Sequence, residues 1–360
     1  MRKALLVTLE YPPQIGGVAN YYVNLVKNLS ADKIEVLTNK NNELLAKRSF
    51  LPWLKSFKII KKIVQEKNIE VILVGQVLPL GTVAWLLSKY LKIPYIVFTH
   101  AMDVTYPQKY PRKKLLMQKI FNGAEKIITV SRYTKYEIYK LLNNRNQGKI
   151  EIITPAPSIT PDNFPNTNIN ILKQEYAGHK ILLSVGRLVE RKGHDIVIKS
   201  LPFLIQQKIK FKYIIIGDGI NKKHLCELVK KLNLENYVIF KNHLSDAEVA
   251  KYYQLCDVFI MPSRETEDKD IEGFGLVYLE ANSFAKPVIG GKSGGVEDAI
   301  IDGKNGFLVD PKDIQMTAQA ILKLFQNRNL ATNFGLYGQD RIKKEFQWSY
   351  RAKQLEAIIS

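Results

Sequence analysis

The chain has 360 residues, 46% hydrophobic and 24% charged, a formal net charge of +19 and only two cysteines, Cys226 and Cys256. That length exceeds one ordinary core and suits two domains, while the composition excludes a disordered or disulfide-stapled chain and fits a reducing compartment. The charge is uneven: residues 1–150 hold 25 Lys and Arg against 9 Asp and Glu, net +16, and residues 151–360 hold 28 against 25, net +3.

In chain order, MRKALLVTLEYPP imitates a signal peptide for nine residues, but Glu10 closes its short apolar run, and a first buried strand is the better reading. Further strands are expected at 33–38, 70–75, 94–99, 126–130 and 149–154, after the first at 3–9, with amphipathic helical segments between them. The apolar stretch 71–87 is interrupted by Gly75, Gln76, Pro79 and Gly81. It therefore reads as strand, loop and helix rather than a membrane span, and a soluble chain is expected. Residues 155–168 carry four prolines and three asparagines, a linker composition. The alternation then restarts, with strands expected at 180–186, 213–219, 237–240, 257–262, 287–291 and 306–310, and a closing helix WSYRAKQLEAII with no strand after it.

This pattern predicts an α/β protein of two doubly wound parallel-sheet domains with a cleft between them, ligands binding beyond the carboxyl ends of the strands. The boundaries are placed at 1–160 for the first domain, 161–174 for the linker and 175–347 for the second domain. The helix 348–360 is expected to pack back on the first domain.

Neither common cofactor loop is present. GDGINKK (217–223) has Lys222 where a dinucleotide fingerprint needs a third glycine, and GGKSGG (290–295) fails the P-loop spacing because position 286 is Lys. Glycine turns nevertheless recur at strand ends, in IGGV (15–18), GDG (217–219) and GKSGGV (291–296). Such turns can hold phosphate oxygens on bare backbone N–H groups, or serve only as tight strand–helix turns. In SVGRLVERKG (184–193), Arg187 and Lys192 stand where they could reach a diphosphate, Arg187 as a fork and Lys192 as a point charge; two solvated loop cations are the plainer reading. His100 follows the fourth strand directly, where it is either structural or part of the site.

EDKDIEGFGLVYLEA (267–281) sets Glu272 and Glu280 eight residues apart around a Gly-Phe-Gly turn, with Leu276, Val277 and Leu279 expected to point inward. The carboxylates could hold paired hydroxyls, act as a glycosidase acid and base, or be solvated charges. Asp268-Lys269-Asp270 has the form of a metal-binding triplet that is common in acidic loops, and no metal is expected.

In this order and at these separations, YPPQIGGVANYYVNLVKNL, THAMD, TVSRYT, SVGRLVERKG, GDG, the Glu272–Glu280 pair and GGVEDAIIDGKNGFLV resemble the retaining glycosyltransferases of family 4 over nearly the whole chain. The loop SRETEDKDIEGFG is longer than the common family pattern and looks like that of the mannosyltransferases acting on phosphatidylinositol mannosides.

The resemblance implies the GT-B fold of two facing Rossmann-like domains and a GDP- or UDP-linked sugar donor. It also implies a glycan or lipid-linked acceptor, and no cofactor or metal. Arg187 and Lys192 would neutralise the donor diphosphate, with Gly186, Gly217 and Asp218 nearby. Glu272 would contact hexose hydroxyls beside Gly273, Phe274, Gly275, Leu276 and Val277. Glu280 would hold the ribose, His100 would touch the sugar, and Gly16 and Gly17 would lie by the phosphates and acceptor. The same fold also hosts nucleotide-sugar epimerases, and a non-catalytic sugar-nucleotide-binding module is the alternative from another class.

The basic half then reads as a membrane-surface patch. Lys55, Lys58 and Lys62 lie on one face of a helix in 52–67, and Arg112, Lys113 and Lys114 stand beside Leu115, Leu116 and Met117 in 109–121. Nucleic acid is set aside because no recognition motif accompanies the charge. The expected location is cytoplasmic, peripheral at the inner face of the membrane.

Overall fold

The structure is a computed structural model and describes residues 1–14, 16–40, 44–45, 53–142, 144–165 and 168–360. Ile15 of the first glycine turn, Pro52 at the head of the basic segment, and Asn166 and Thr167 of the linker stretch lie outside the described residues.

The chain forms two units, Met1–Ala156 with Gln347–Ser360, and Pro157–Phe346. The first unit holds β1 (Ala4–Thr8), β2 (Ile34–Thr38), β3 (Val71–Val74), β4 (Tyr95–Thr99), β5 (Lys126–Thr129) and β6 (Ile150–Ile152) in one sheet of order β2-β1-β3-β4-β5-β6. The second holds β7 (Lys180–Val185), β8 (Phe211–Ile216), β9 (Val238–Lys241), β10 (Val258–Met261), β11 (Val288–Gly291) and β12 (Gly306–Val309) in the order β12-β11-β10-β7-β8-β9.

Every pairing is parallel. Each expected strand is found, its ends within about three residues of the expectation, the ordinary scatter of element boundaries. The central strands β1, β3 and β4 are buried along their whole length. Helices cover both faces of such a sheet, which is why these runs are apolar without alternation.

Strand order reverses between β1 and β3 in the first unit and between β7 and β10 in the second. Ligands of open α/β sheets bind at these switch points, beyond the carboxyl ends of the strands. The loops that sequence reading singled out follow these strands: residues 9–16 after β1, His100 after β4 beside β3, 186–193 after β7, and 262–275 after β10.

The closing helix Trp348–Ile359 packs on helix Gly17–Lys27 within the first unit. Arg2 Nε donates to the Ile359 carbonyl at 2.6 Å, and Trp348 meets Tyr21 edge-on at 5.8 Å.

Two sequence expectations are corrected. In helix Leu276–Ser283 the buried face runs from Tyr278 through Ser283, while Leu276 and Val277 are half-exposed. Gly275 starts this helix, so its first turn still belongs to the strand-end loop and only the next turn reaches the core. In helix Pro111–Gly123, Met117 is a core residue and Leu116 half-buried, leaving only Leu115, 55% exposed, beside the exposed Arg112, Lys113 and Lys114.

Candidate active site

In the second unit, the loop after β7 is pressed onto the loop after β10. Gly193 has φ 72°, and a Cβ there would stand 2.2 Å from the Pro262 carbonyl oxygen. Only glycine allows both the left-handed turn and the close approach. The turn fixes Lys192, 9% exposed, with its side-chain Cε 3.6 Å from where a Gly186 Cβ would lie. Arg187, by contrast, is exposed at the strand end.

Lys192 Nζ donates to Glu272 Oε2 at 2.7 Å, Arg191 Nη1 donates to the same oxygen at 2.5 Å, and Ser263 Oγ lies 3.5 Å from it. Arg191 Nε also pairs with Asp270 Oδ1 at 3.0 Å. The partners of Glu272 thus all gather on one oxygen, and Oε1 accepts from no described residue. Burial alone would push this carboxyl up, but the charges and hydrogen bonds of Arg191 and Lys192 outweigh it and hold Glu272 down at about 2. Lys192 is lowered by burial and by the neighbouring Arg191 and Arg187 charges, with Glu272 opposing.

The rest of the 262–275 loop is clasped from both sides. The Arg264 N–H donates to the Arg191 carbonyl at 2.8 Å, and its side chain reaches back to Asp195 Oδ1 at 2.8 Å and Glu190 at 3.5 Å. The Gly295 N–H, in the turn after β11, donates to the Glu272 carbonyl at 2.8 Å. Glu272 is therefore held by backbone and side chain together, a condition for precise placement of a functional group.

Glu280 is not part of this cluster. Its carboxyl is buried beneath the Tyr253 hydroxyl at 2.9 Å, with the backbone of Ser158 and Ile159 also bonded to it. Burial pushes it up to about 7 against those bonds. The Phe274 ring is a core group, edge-on to Phe346 at 6.0 Å, which leaves only backbone at that position for a ligand. Gly217 and Gly219 have a packing reason: a Cβ on either would stand 2.0 or 2.4 Å from the carbonyl of Gly186 or Leu188. Asp218 Oδ1 accepts from the Gly219 N–H at 2.8 Å.

In the first unit, Gly16 and Gly17 open the 11-residue helix Gly17–Lys27, which has no side-chain cap and no acid in its first turn. A Cβ on either glycine would meet nothing within 4 Å, so packing does not demand glycine there. The first N–H groups of a helix have no intrahelical partner, and no side-chain cap covers them here.

His100 Nε2 lies 2.7 Å from the Tyr22 hydroxyl, and burial drives its imidazole down to about 3. Asp103 Oδ1 accepts from the His100 backbone N–H at 2.8 Å; burial raises the Asp103 carboxyl to about 7. Helices Leu54–Glu66, Leu80–Leu91 and Pro111–Gly123 neighbour one another in that order, with Lys55, Lys58, Lys62, Arg112, Lys113 and Lys114 all exposed. Among the described residues no three His, Cys, Asp or Glu side chains gather as a metal site, and no helix is long and apolar enough to cross a membrane.

The description "Glycosyltransferase Family 4" matches residues 15–156 and "Glycosyl transferases group 1" matches residues 168–341. An uncharacterized glycosyltransferase, MJ1178, of Methanocaldococcus jannaschii is 30% identical over 96% of this chain and 94% of its own length. The chain belongs to glycosyltransferase family 4.

The GDP-mannose-dependent alpha-(1-6)-phosphatidylinositol monomannoside mannosyltransferase of Mycolicibacterium smegmatis is 27% identical to this family 4 enzyme, over 99% of the chain and 98% of its own length. The fold of the present chain matches that of Anabaena Alr3699/HepE in complex with UDP-glucose, with a TM-score of 0.82, 19% identity and 99% coverage of both chains. The fold is therefore GT-B, two Rossmann-like domains, and the enzyme is a glycosyltransferase.

Sequence reading of this family 4 glycosyltransferase missed Arg191, Arg264, Tyr253 and Tyr22, and took Asp270 only as part of an acidic triplet rather than as the partner of Arg191. One signal was available for Arg191: it is adjacent to Lys192, and two cations entering a buried loop need acids to face them.

Proposed function

We propose that this glycosyltransferase retains configuration while moving a mannose from GDP-mannose to a lipid-linked glycan acceptor at an anionic membrane surface, using its own cations in place of a metal. The observation that carries the reading is Glu272: ionised, fixed through Oε2 by Arg191 and Lys192, and open at Oε1 to accept from a sugar hydroxyl. Lys192 and Arg187 are the groups for the donor diphosphate. As the sugar–phosphate bond breaks, charge grows on the leaving oxygens, and fixed cations there stabilise the transition state more than the ground state. Glu280 takes the ribose in this reading, Gly16 and Gly17 offer N–H groups to substrate oxygens, and His100 meets the sugar. The choice of GDP-mannose is supported by the activity of the Mycolicibacterium relative, and that of a lipid-linked acceptor by the same relative and the exposed basic helices.

The test is thermal stabilisation by GDP, UDP, ADP and their sugars with and without EDTA, followed by transfer of labelled mannose to lipid extracts. Stabilisation by GDP and GDP-mannose, unchanged by EDTA, with label entering lipid, is expected. A UDP preference overturns the donor, an EDTA-sensitive shift overturns the metal-free reading, and epimerised donor without transfer overturns the reaction.

A further inference from the structure

Tyr22 is fully buried, and its hydroxyl lies 2.8 Å from the Gly75 carbonyl oxygen and 2.7 Å from His100 Nε2. A phenol has one proton to give, and a carbonyl can only accept. The proton therefore goes to Gly75; the opposite assignment would press two bare oxygens together at 2.8 Å. The hydroxyl then has only lone pairs for His100, so Nε2 must carry the ring's hydrogen. Nδ1 is left with a lone pair, and it has no partner among the described residues and is not sealed from solvent.

The surroundings hold this arrangement. The Tyr21 and Tyr22 rings stand edge-on to the imidazole at 5.4 and 5.3 Å, and Phe98 backs Tyr22 at 5.6 Å. A Cβ at Gly75 would lie 3.1 Å from Tyr22 Cζ and 2.7 Å from Thr8 Oγ1, so a side chain there would displace the tyrosine. Asp103 fixes the His100 backbone in a turn in which Ala101 takes φ 85°, a conformation that non-glycine residues seldom adopt.

We propose that Tyr22 is a positioning residue that holds His100 as the neutral Nε2–H tautomer, offering Nδ1 as a hydrogen-bond acceptor to a hydroxyl of the transferred sugar. The sugar part rests on the function proposed above; the tautomer part does not. An uncharged acceptor suits a reacting sugar that gains positive character at its transition state, because it adds no opposing charge and leaves the hydroxyl oxygen more electron-rich.

Nitrogen-15 spectra of histidine-labelled full-length protein at neutral pH test it, with His100 assigned by the signals lost in His100→Asn. Wild type is expected to show a pyrrole-like Nε2 and a pyridine-like Nδ1. Tyr22→Phe, which removes only the hydroxyl, is expected to give a tautomer mixture and to lower kcat about tenfold, the scale of one lost hydrogen bond, with donor KM nearly unchanged. An Nδ1–H or doubly protonated ring in wild type overturns the proposal even if the variant fails to fold, as does an unchanged ring state in Tyr22→Phe. The spectrum reads the tautomer whether or not sugar is transferred. The expected spectra together with no transfer of any hexose would thus sink the functional reading alone.

Discussion

Glu272 is a buried acid that stays charged, and the reason is local. Removing a carboxylate from water favours its protonated form, yet two cations on one oxygen reverse the balance and bring it to about 2. Arg191 is decisive here because its planar fork spans Glu272 and Asp270, so that one cation joins both acids of the loop. Arg191→Gln should therefore do more than weaken the fold. Losing a charge that favours the carboxylate raises the Glu272 pKa, so activity that needs the anion is lost at a higher pH as the solution is acidified. The acid limb of kcat/KM, below reach in wild type, should rise towards the ordinary carboxylate range. Misplacement of the carboxylate should cost about 10²-fold in kcat/KM at neutral pH. Arg191→Lys keeps the charge and should return the limb while recovering only part of the rate. A pH profile of Arg191→Gln superimposable on wild type would remove the arginine from this role.

At the level of elements, strands were legible and loops were not. The inner strands are short runs of mostly β-branched and aliphatic residues buried over most of their length, a signal that depends only on neighbours in sequence, while the edge strands such as β2 and β9 are only half-buried. Lys192 and Glu272 were expected in strand-end loops, where a doubly wound fold binds ligands, and they lie in the loops after β7 and β10. What those residues touch could not be read: Arg191 lies 81 positions from Glu272, and Arg264 lies 69 from Asp195. Such pairs exist only after two loops meet at the β7–β10 switch point. GDG was ambiguous in sequence for the related reason that close backbone packing and phosphate binding both call for bare glycine, and the structure supplies the packing reason.

The 262–275 loop makes the point testable. If the Arg264–Asp195 pair, with side chains 11% and 15% exposed, fixes the loop, Arg264→Ala and Asp195→Asn should not act additively on stability. A double-mutant cycle by denaturant unfolding should give a coupling on the order of 1–3 kcal/mol, and amide exchange across 264–272 should quicken in either single variant. Additive effects within error would mean that the pair does not fix the loop, which Arg191, Lys192 and the Gly295 N–H would then hold.

For the whole molecule, the distribution of charge matters more than its sum. Much of the positive charge on the first 150 residues lies on helices, and on Pro111–Gly123 it stands beside the exposed Tyr106 and Tyr110 rings that precede the helix. Lys113 Nζ sits 4.3 Å from the Tyr110 ring centroid, with Tyr106 edge-on to Tyr110 and Leu115 exposed two residues on. Cations backed by tyrosines and a leucine suit the interface of a lipid headgroup layer, where each Lys or Arg contributes about 1 kcal/mol near anionic lipid. Reversing Lys58, Lys62, Lys113 and Lys114 to Glu should therefore abolish sedimentation with phosphatidylglycerol vesicles. The four belong to the first unit and the Lys192–Glu272 cluster to the second, so nucleotide-induced thermal stabilisation should be unchanged in that variant. The wild-type interaction should also weaken from 0.1 M to 1 M salt, as the Debye length contracts from about 10 Å to about 3 Å. Wild-type binding that ignores both lipid charge and salt would show that the patch is merely solvated, and the lipid-linked acceptor would then have to reach the enzyme by another surface.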